Sequence, residues 1–281
     1  MPTFPSFDDL ELTYHISGEG PPIVCLAGGP GRASTYLSGI TASLPGSTLI
    51  RLDSRGTGQS ATPDDPATYC AAASVYDLEA LMRHLNYKRP VLLAHSSAAN
   101  TAMLYALRHP HRLSHLVLVA PSSRLVGIDV KDFHEALLLR THEEWYPQAR
   151  EAIDGWVGSS TMAETLPYRV PAAPFYYGRW DEAARSHADS EPRQISLAAA
   201  EGFYAGFDFD TETMRMTLQQ LPVPVLVITG ELDPFPTPST GERLAAVFPH
   251  GKSFVQPSGG HFPWLDDSSV LAEAIHDHLK G

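Results

Sequence analysis

Six short runs rich in valine, leucine and isoleucine punctuate this chain, and each ends in small or turn-forming residues. Residues 23–26 run into AGGPGR, 48–52 into DSRGTGQS, 91–93 into AHSSA and 116–119 into APSS. Residues 225–228 run into TGELD, and the weaker 253–255 into QPSGGH. Continuous apolar runs of this length fit strands buried on both faces of a parallel sheet. Between them lie amphipathic helical patterns. Residues 76–87 place Leu78, Leu81, Met82 and Leu85 on one stripe, 98–107 are rich in alanine and leucine, and 270–279 turn Leu271, Ala274, Ile275 and Leu279 inward. This β-α alternation predicts the α/β class: a mostly parallel central sheet with helices on both faces. Ligands in such sheets bind at the carboxyl ends of the strands. Every glycine- or serine-rich segment just quoted lies at such an end.

The alternation stops between residues 122 and 220. That stretch offers helical patterns at 133–139 and 194–204, several aromatics (Trp145, Trp156, Tyr176, Trp180 among them) and no strand pattern. It is too long for a loop and is expected to fold as its own layer. The expected organisation is therefore a core of residues 1–122 and 220–281 with an inserted helical cap, 123–219. Part of the chain's 24 prolines fall between Pro147 and Pro174, so short helices joined by rigid turns are expected there.

Composition removes several classes. A net charge of −12 argues against nucleic-acid binding, which needs a basic face. No apolar stretch approaches the ~20 residues that cross a bilayer, so no membrane span is expected. The opening MPTFPSFDDLEL carries no basic-then-apolar pattern, so no signal peptide is readable. Cys25 and Cys70 are the only cysteines, which excludes a disulfide scaffold or cysteine-rich zinc site and suits a cytoplasmic location. No cofactor and no metal is called for, and no pattern specifies an oligomeric state.

The segment Ala94-His95-Ser96-Ser97-Ala98 joins a strand to an alanine-rich helix. A serine on that sharp turn projects its hydroxyl outward when the positions two before and two after it are small. Centring the turn on Ser97 would put His95 where a small residue is needed, so Ser96 is the candidate nucleophile. A serine at a helix N-terminus is also a common cap, and the hydroxyl needs a base to become nucleophilic. His261 follows a Gly-Gly loop after the last strand, and Asp233 follows the strand before it. Asp233 could hold the imidazole's second nitrogen, although Asp-Pro is also a turn signal. Taken together, Ser, Asp and His on separate strand ends, in that chain order, form the α/β-hydrolase arrangement. The loop Ala27-Gly28-Gly29-Pro30-Gly31 is expected to turn the Gly29 N–H toward a reacting carbonyl, with the Ser97 N–H as second oxyanion donor. No Gly-Lys-Ser/Thr follows the loop, so it is not a phosphate-binding P-loop.

These motifs resemble those of the proline iminopeptidases (serine aminopeptidases) of the α/β-hydrolase superfamily. That family carries H-G-G-P-G, D-Q-R-G-x-G-x-S and G-x-S-x-G. This chain reads Ala27-Gly-Gly-Pro-Gly31, then Asp53-Ser-Arg-Gly-Thr-Gly-Gln-Ser60, then Ala94-His-Ser-Ser-Ala98. It departs at Ala27, at Ser54 and at both elbow alanines. The resemblance implies cap carboxylates that bind a substrate's free amine. The segment around Glu201 looks similar to one such site, and Trp180-Asp181 to the other. Arg55 reads instead as a buried structural arginine tying loops together.

The expectation is a metal-independent serine hydrolase acting through an acyl-enzyme on a small molecule or short peptide. An aspartate nucleophile is disfavoured because position 96 is serine. The resemblance implies removal of an N-terminal amino acid. An esterase, lactonase or biosynthetic deacylase of the same fold is the alternative, and a non-catalytic ligand-binding homologue is the third.

Overall fold

The apolar runs become parallel strands because each divides its side chains between two cores. The computed structural model describes residues 1–280. Its sheet has eight strands: β1 (Thr3–Pro5), β2 (Glu11–Ser17), β3 (Pro22–Leu26), β4 (Thr48–Leu52), β5 (Val91–His95), β6 (Leu116–Val119), β7 (Val225–Gly230) and β8 (Gly251–Gln256). Their order is β1-β2-β4-β3-β5-β6-β7-β8. From β4 to β8 every pair is parallel. Side chains alternate with the two-residue period of a strand. On β3, Val24 and Leu26 enter one core while Ile23 and Cys25 enter the other; on β6, Leu116 and Leu118 are separated from Val117 and Val119 in the same way. Residues from the helices Ala71–His84 and Ala98–Arg108 fill the first core, and residues from Ser268–Lys280 fill the second. The sheet is mostly parallel with helices on both faces, as the alternation predicts.

β1 and β2 lie outside the six apolar runs. They pair antiparallel with each other, and β2 with β4, at the sheet edge. β2 leaves Glu11 and Ile16 exposed, so it lacks the continuous apolar signature of a strand buried on both faces.

Between β6 and β7 lie six α-helices and no strand: Phe133–Leu138, Tyr146–Val157, Met162–Ala172, Glu182–Ser190, Leu197–Gly202 and Thr211–Leu218. Leu137, Ala149, Ile153 and Phe175 give this stretch a small core of its own. It is fastened to the loop after β3. The Ala33 N–H donates to the Gln194 carbonyl (2.9 Å), and the Ser196 N–H donates to the Gly31 carbonyl (2.8 Å). Gly31 has φ +76°, and a Cβ there would stand 2.6 Å from the Ala200 nitrogen, so only glycine permits this contact. No helix among the described residues is long and apolar enough to cross a membrane.

Candidate active site

β5 ends at His95 and the next helix begins at Ala98, which leaves two residues to reverse the chain. Ser96 takes the left-handed conformation, φ +56°, a costly choice for a residue with a Cβ. Three hydrogen bonds hold it there. Its N–H donates to the Val119 carbonyl (3.0 Å), and its carbonyl accepts from the N–H groups of Ala99 (3.1 Å) and Ser122 (3.0 Å). Ala94 and Ala98 are buried on either side. Gly28 lies against the turn, where a Cβ would come within 2.6 Å of the His95 carbonyl oxygen and 2.8 Å of the Ser96 Cβ.

The loops after β7 and β8 bring Asp233 and His261 to the same place. His261 Nε2 lies 3.0 Å from Ser96 Oγ, and its Nδ1 lies 2.8 Å from Asp233 Oδ2. Asp233 is fully buried, and its Oδ1 accepts from the Phe235 N–H at 2.9 Å. A carboxylate can only accept, so Nδ1 carries the proton and Nε2 presents a lone pair to the serine hydroxyl. The His261 N–H donates to the Tyr176 carbonyl (2.8 Å), and the Gly260 N–H to Asp266 Oδ2 (2.7 Å). Burial pushes the Asp266 carboxyl above its ordinary range, partly offset by the backbone N–H groups it accepts. The three groups predicted from sequence to act together are thus in hydrogen-bond contact.

A second chain of hydrogen bonds lies behind them. His95 Nε2 is 2.9 Å from the His261 carbonyl oxygen, which fixes the proton on Nε2. The bare Nδ1 accepts from the Tyr36 hydroxyl (2.8 Å), and that oxygen accepts from the Gly28 N–H (2.7 Å). Burial, reinforced by the neighbouring His261, holds the His95 pKa well below that of an ordinary histidine, so this ring stays neutral. The wire links the backbone of the histidine to the loop after β3. With Gly28 so engaged, the next N–H, that of Gly29, and that of Ser97 take part in no backbone hydrogen bond, and both residues line the cavity above Ser96.

That cavity holds about 430 Å³. Ser96 and His261 lie on its wall, and Trp156, Ala173, Tyr176, Tyr177 and Tyr204 of the helical insertion complete it. Its charged lining is Arg32, Arg124, Arg169, Glu191 and Asp129. Arg169 is ion-paired with Glu191, and its guanidinium lies 4.7 Å from the Trp156 ring centre. No sequence motif singled out Arg32, Arg169 or Glu191. The one available signal was an arginine directly after the AGGPG loop.

The two acidic residues suggested by the family resemblance lie elsewhere. Glu201 is exposed and does not line the cavity. The helix Leu197–Gly202 buries Ala199 and Ala200 instead, which turns the next position outward. Asp181 caps the helix Glu182–Ser190 by accepting from the Ala184 N–H (3.0 Å), and its side chain is 47% exposed beside Arg179. Arg55 is buried and paired with Asp77 and Asp8, the structural role expected of it. Among the described residues no cluster of histidine, cysteine and carboxylates could hold a metal ion.

Comparison with known proteins places this geometry in a family. Residues 21–268 match the family described as alpha/beta hydrolase fold. A Caulobacter segnis chain designated a carbamate hydrolase, RutD, is 25% identical over 96% of this chain and 97% of its own. A proline iminopeptidase of Heyndrickxia coagulans is 25% identical over 99% of this chain and 94% of its own. Among solved structures, an esterase from Exiguobacterium antarcticum superposes with a TM-score of 0.75 at 17% identity, covering 99% of both chains. The match over most of the chain, together with the sheet order, shows that this protein belongs to the alpha/beta hydrolase fold family.

Proposed function

We propose that this protein is a serine hydrolase that cleaves small esters or lactones through an acyl-enzyme on Ser96. The observation that carries the reading is the unbroken contact from Ser96 Oγ to His261 Nε2 and from His261 Nδ1 to Asp233, at the wall of a cavity sized for a small molecule. Ser96 Oγ attacks the acyl carbon while His261 Nε2 takes its proton, and the buried Asp233 carboxylate stabilises the imidazolium. The carbonyl oxygen becomes an oxyanion held by the N–H groups of Gly29 and Ser97. Collapse expels the alcohol, which receives the proton from His261. A water then attacks the acyl carbon and gives a proton to His261, which returns it to Ser96 Oγ as the acyl–oxygen bond breaks and the acid leaves. The helical insertion acts as a cap that keeps bulk water from the acyl-enzyme.

The ester or lactone reading is favoured over aminopeptidase activity by charge. Recognition of a free amine needs an available carboxylate in the cavity. Glu201 and Asp181 are outside it, Glu191 is already paired with Arg169, and the one other carboxylate of the lining, Asp129, is solvent-exposed rather than buried beside Ser96. The second reading, a proline iminopeptidase-like aminopeptidase, keeps its support from the GGPG loop and from relatives of that name. A panel of p-nitrophenyl esters, lactones and aminoacyl p-nitroanilides separates the two. Esters and lactones turned over at least tenfold faster in kcat/KM than any aminoacyl anilide is the expected result. Preferred cleavage of prolyl or other aminoacyl anilides would reverse the assignment.

A further inference from the structure

Arg32 follows the AGGPG loop directly and lines the same cavity as the candidate nucleophile. The residue is 4% exposed. Its Nε donates to Gln194 Oε1 (2.8 Å), and its Nη2 donates to Ser190 Oγ (3.1 Å) and to the His187 carbonyl (3.3 Å). All of these acceptors are neutral. Among the described residues no carboxylate oxygen lies within 4.0 Å of its nitrogens. The remaining amino group, Nη1, has no protein hydrogen-bond partner and keeps some accessible surface, and the residue lines the cavity. Arginine is seldom buried without a counter-charge, because removing it from water is costly unless an anion compensates.

The other charges on the wall compensate it only in part: Glu191 acts on Arg32 electrostatically, and the Tyr36 ring centre lies 4.4 Å from its guanidinium, but neither pairs with it. Glu191 is taken by Arg169, and Arg169 Nη2 also faces the Gly29 carbonyl at 3.5 Å. Arg124 and Asp129 are exposed, and Arg124 stacks 4.4 Å from the Tyr204 ring centre. Of the charged side chains on the inner wall, Arg32 is therefore the one without a paired partner. The Arg32 guanidinium lies 5.9 Å from the Phe262 ring centre, and that ring lies 5.2 Å from the His261 ring, so one aromatic side chain separates this charge from the reacting centre.

We infer that the substrate carries a carboxylate, bound by Arg32 within a few bonds of the acyl carbon. A guanidinium with a free amino group matches a carboxylate oxygen in charge and geometry. One guanidinium without a paired partner matches a monoanion, whereas a phosphate dianion would need a second. The inference names the substrate class of the serine-hydrolase reading and rests on that reading for the reaction it serves.

The test compares charge at constant shape. Hydrolysis of monomethyl glutarate, with its carboxylate on the acyl half, and of 4-acetoxybutanoate, with its carboxylate on the leaving half, is followed by pH-stat. Each is set against its primary-amide counterpart. At least one anionic ester is expected to exceed its amide by roughly ten- to hundredfold in kcat/KM, mostly through KM, as befits a charge-assisted hydrogen bond. Arg32→Gln should bring that ratio close to one, and Arg32→Lys should restore part of it. The wild-type ratio needs no variant, so misfolding of Arg32→Gln would not blur the outcome. Equal turnover of acid and amide in both pairs would overturn the inference. A second arm uses Ser96→Ala and calorimetric titration with glutaramate and with neutral glutaramide. Tenfold tighter binding of the anion supports the site even if no ester is cleaved, in which case the hydrolase reading alone has failed; equal binding overturns the site.

Discussion

Tyr36→Phe deletes one oxygen from the centre of the hydrogen-bonded wire and leaves its ring packing intact. Tyr36 and His95 are both buried, so water cannot replace the lost partner. The Gly28 N–H, now 2.7 Å from the tyrosine oxygen, loses its acceptor, and His95 Nδ1, now 2.8 Å away, loses its donor. Each buried unsatisfied group costs about 1–3 kcal/mol, so a loss of roughly 3 kcal/mol in unfolding free energy is expected. For a chain of this size that corresponds to a melting temperature lower by about 6–12 °C. The protein should stay folded, because natural domains carry about 5–15 kcal/mol of stability. Activity should fall as well. Gly28 precedes the N–H assigned to the oxyanion, and loss of one such donor costs about 10²–10³ in kcat in a serine protease. A loosened loop should cost part of that, about 10- to 100-fold. Urea unfolding and steady-state turnover of p-nitrophenyl acetate measure the two effects on one preparation. A variant within 0.5 kcal/mol and twofold of wild type (roughly the scatter of a silent surface change) would refute the claim that this wire holds the loop and the histidine together.

Asp233→Asn should preserve the fold but present an amide that can donate to His261 Nδ1, which favours the wrong tautomer. A fall of about 10⁴ in kcat is expected by analogy with a serine protease, and a fall below tenfold would remove Asp233 from the mechanism. His278 tests pH-dependent stability away from the site. Burial, with His115 and Lys252 nearby, lowers its pKa to about 4. The unfolded ring titrates near 6.5 and so binds more protons below that pH, which means stability falls as pH drops from about 6.5 toward 4. At pH 5 the contribution is about 2 kcal/mol at 1.36 kcal/mol per pH unit. His278→Leu should narrow the difference in unfolding free energy between pH 7 and pH 5 by about that amount; an unchanged difference would show that another group sets the slope.

The strands that carry the site were legible because burial on both faces writes a continuous apolar run into the sequence, as in Val225–Gly230, where every residue is buried. The edge strands were not, since β1 is three residues long and ends in a proline, and β2 is exposed at Glu11 and Ile16 and carries polar residues between its apolar ones. Ser96, Asp233 and His261 could be read because each occupies a turn directly after a strand, where backbone geometry restricts the neighbouring residues. The cavity charges could not. Arg32, Arg169 and Glu191 lie far apart in the chain, and only the packing of the helical insertion onto the Gly31 loop brings them to one wall. Glu201 illustrates the same limit from the other side. A motif-like glutamate faces outward because the rotation of a short helix is set by Ala199 and Ala200, not by the similarity of the segment to a binding motif.

All of the proposed chemistry depends on a nucleophilic hydroxyl at residue 96 activated by the imidazole of residue 261. Intact-mass spectrometry after brief exposure of the folded protein to a fluorophosphonate tests it directly. One covalent adduct per chain is predicted, mapping to the peptide that contains Ser96 and absent from both Ser96→Ala and heat-unfolded protein. Folded wild-type protein that acquires no adduct, or acquires it equally in Ser96→Ala, would contradict the account.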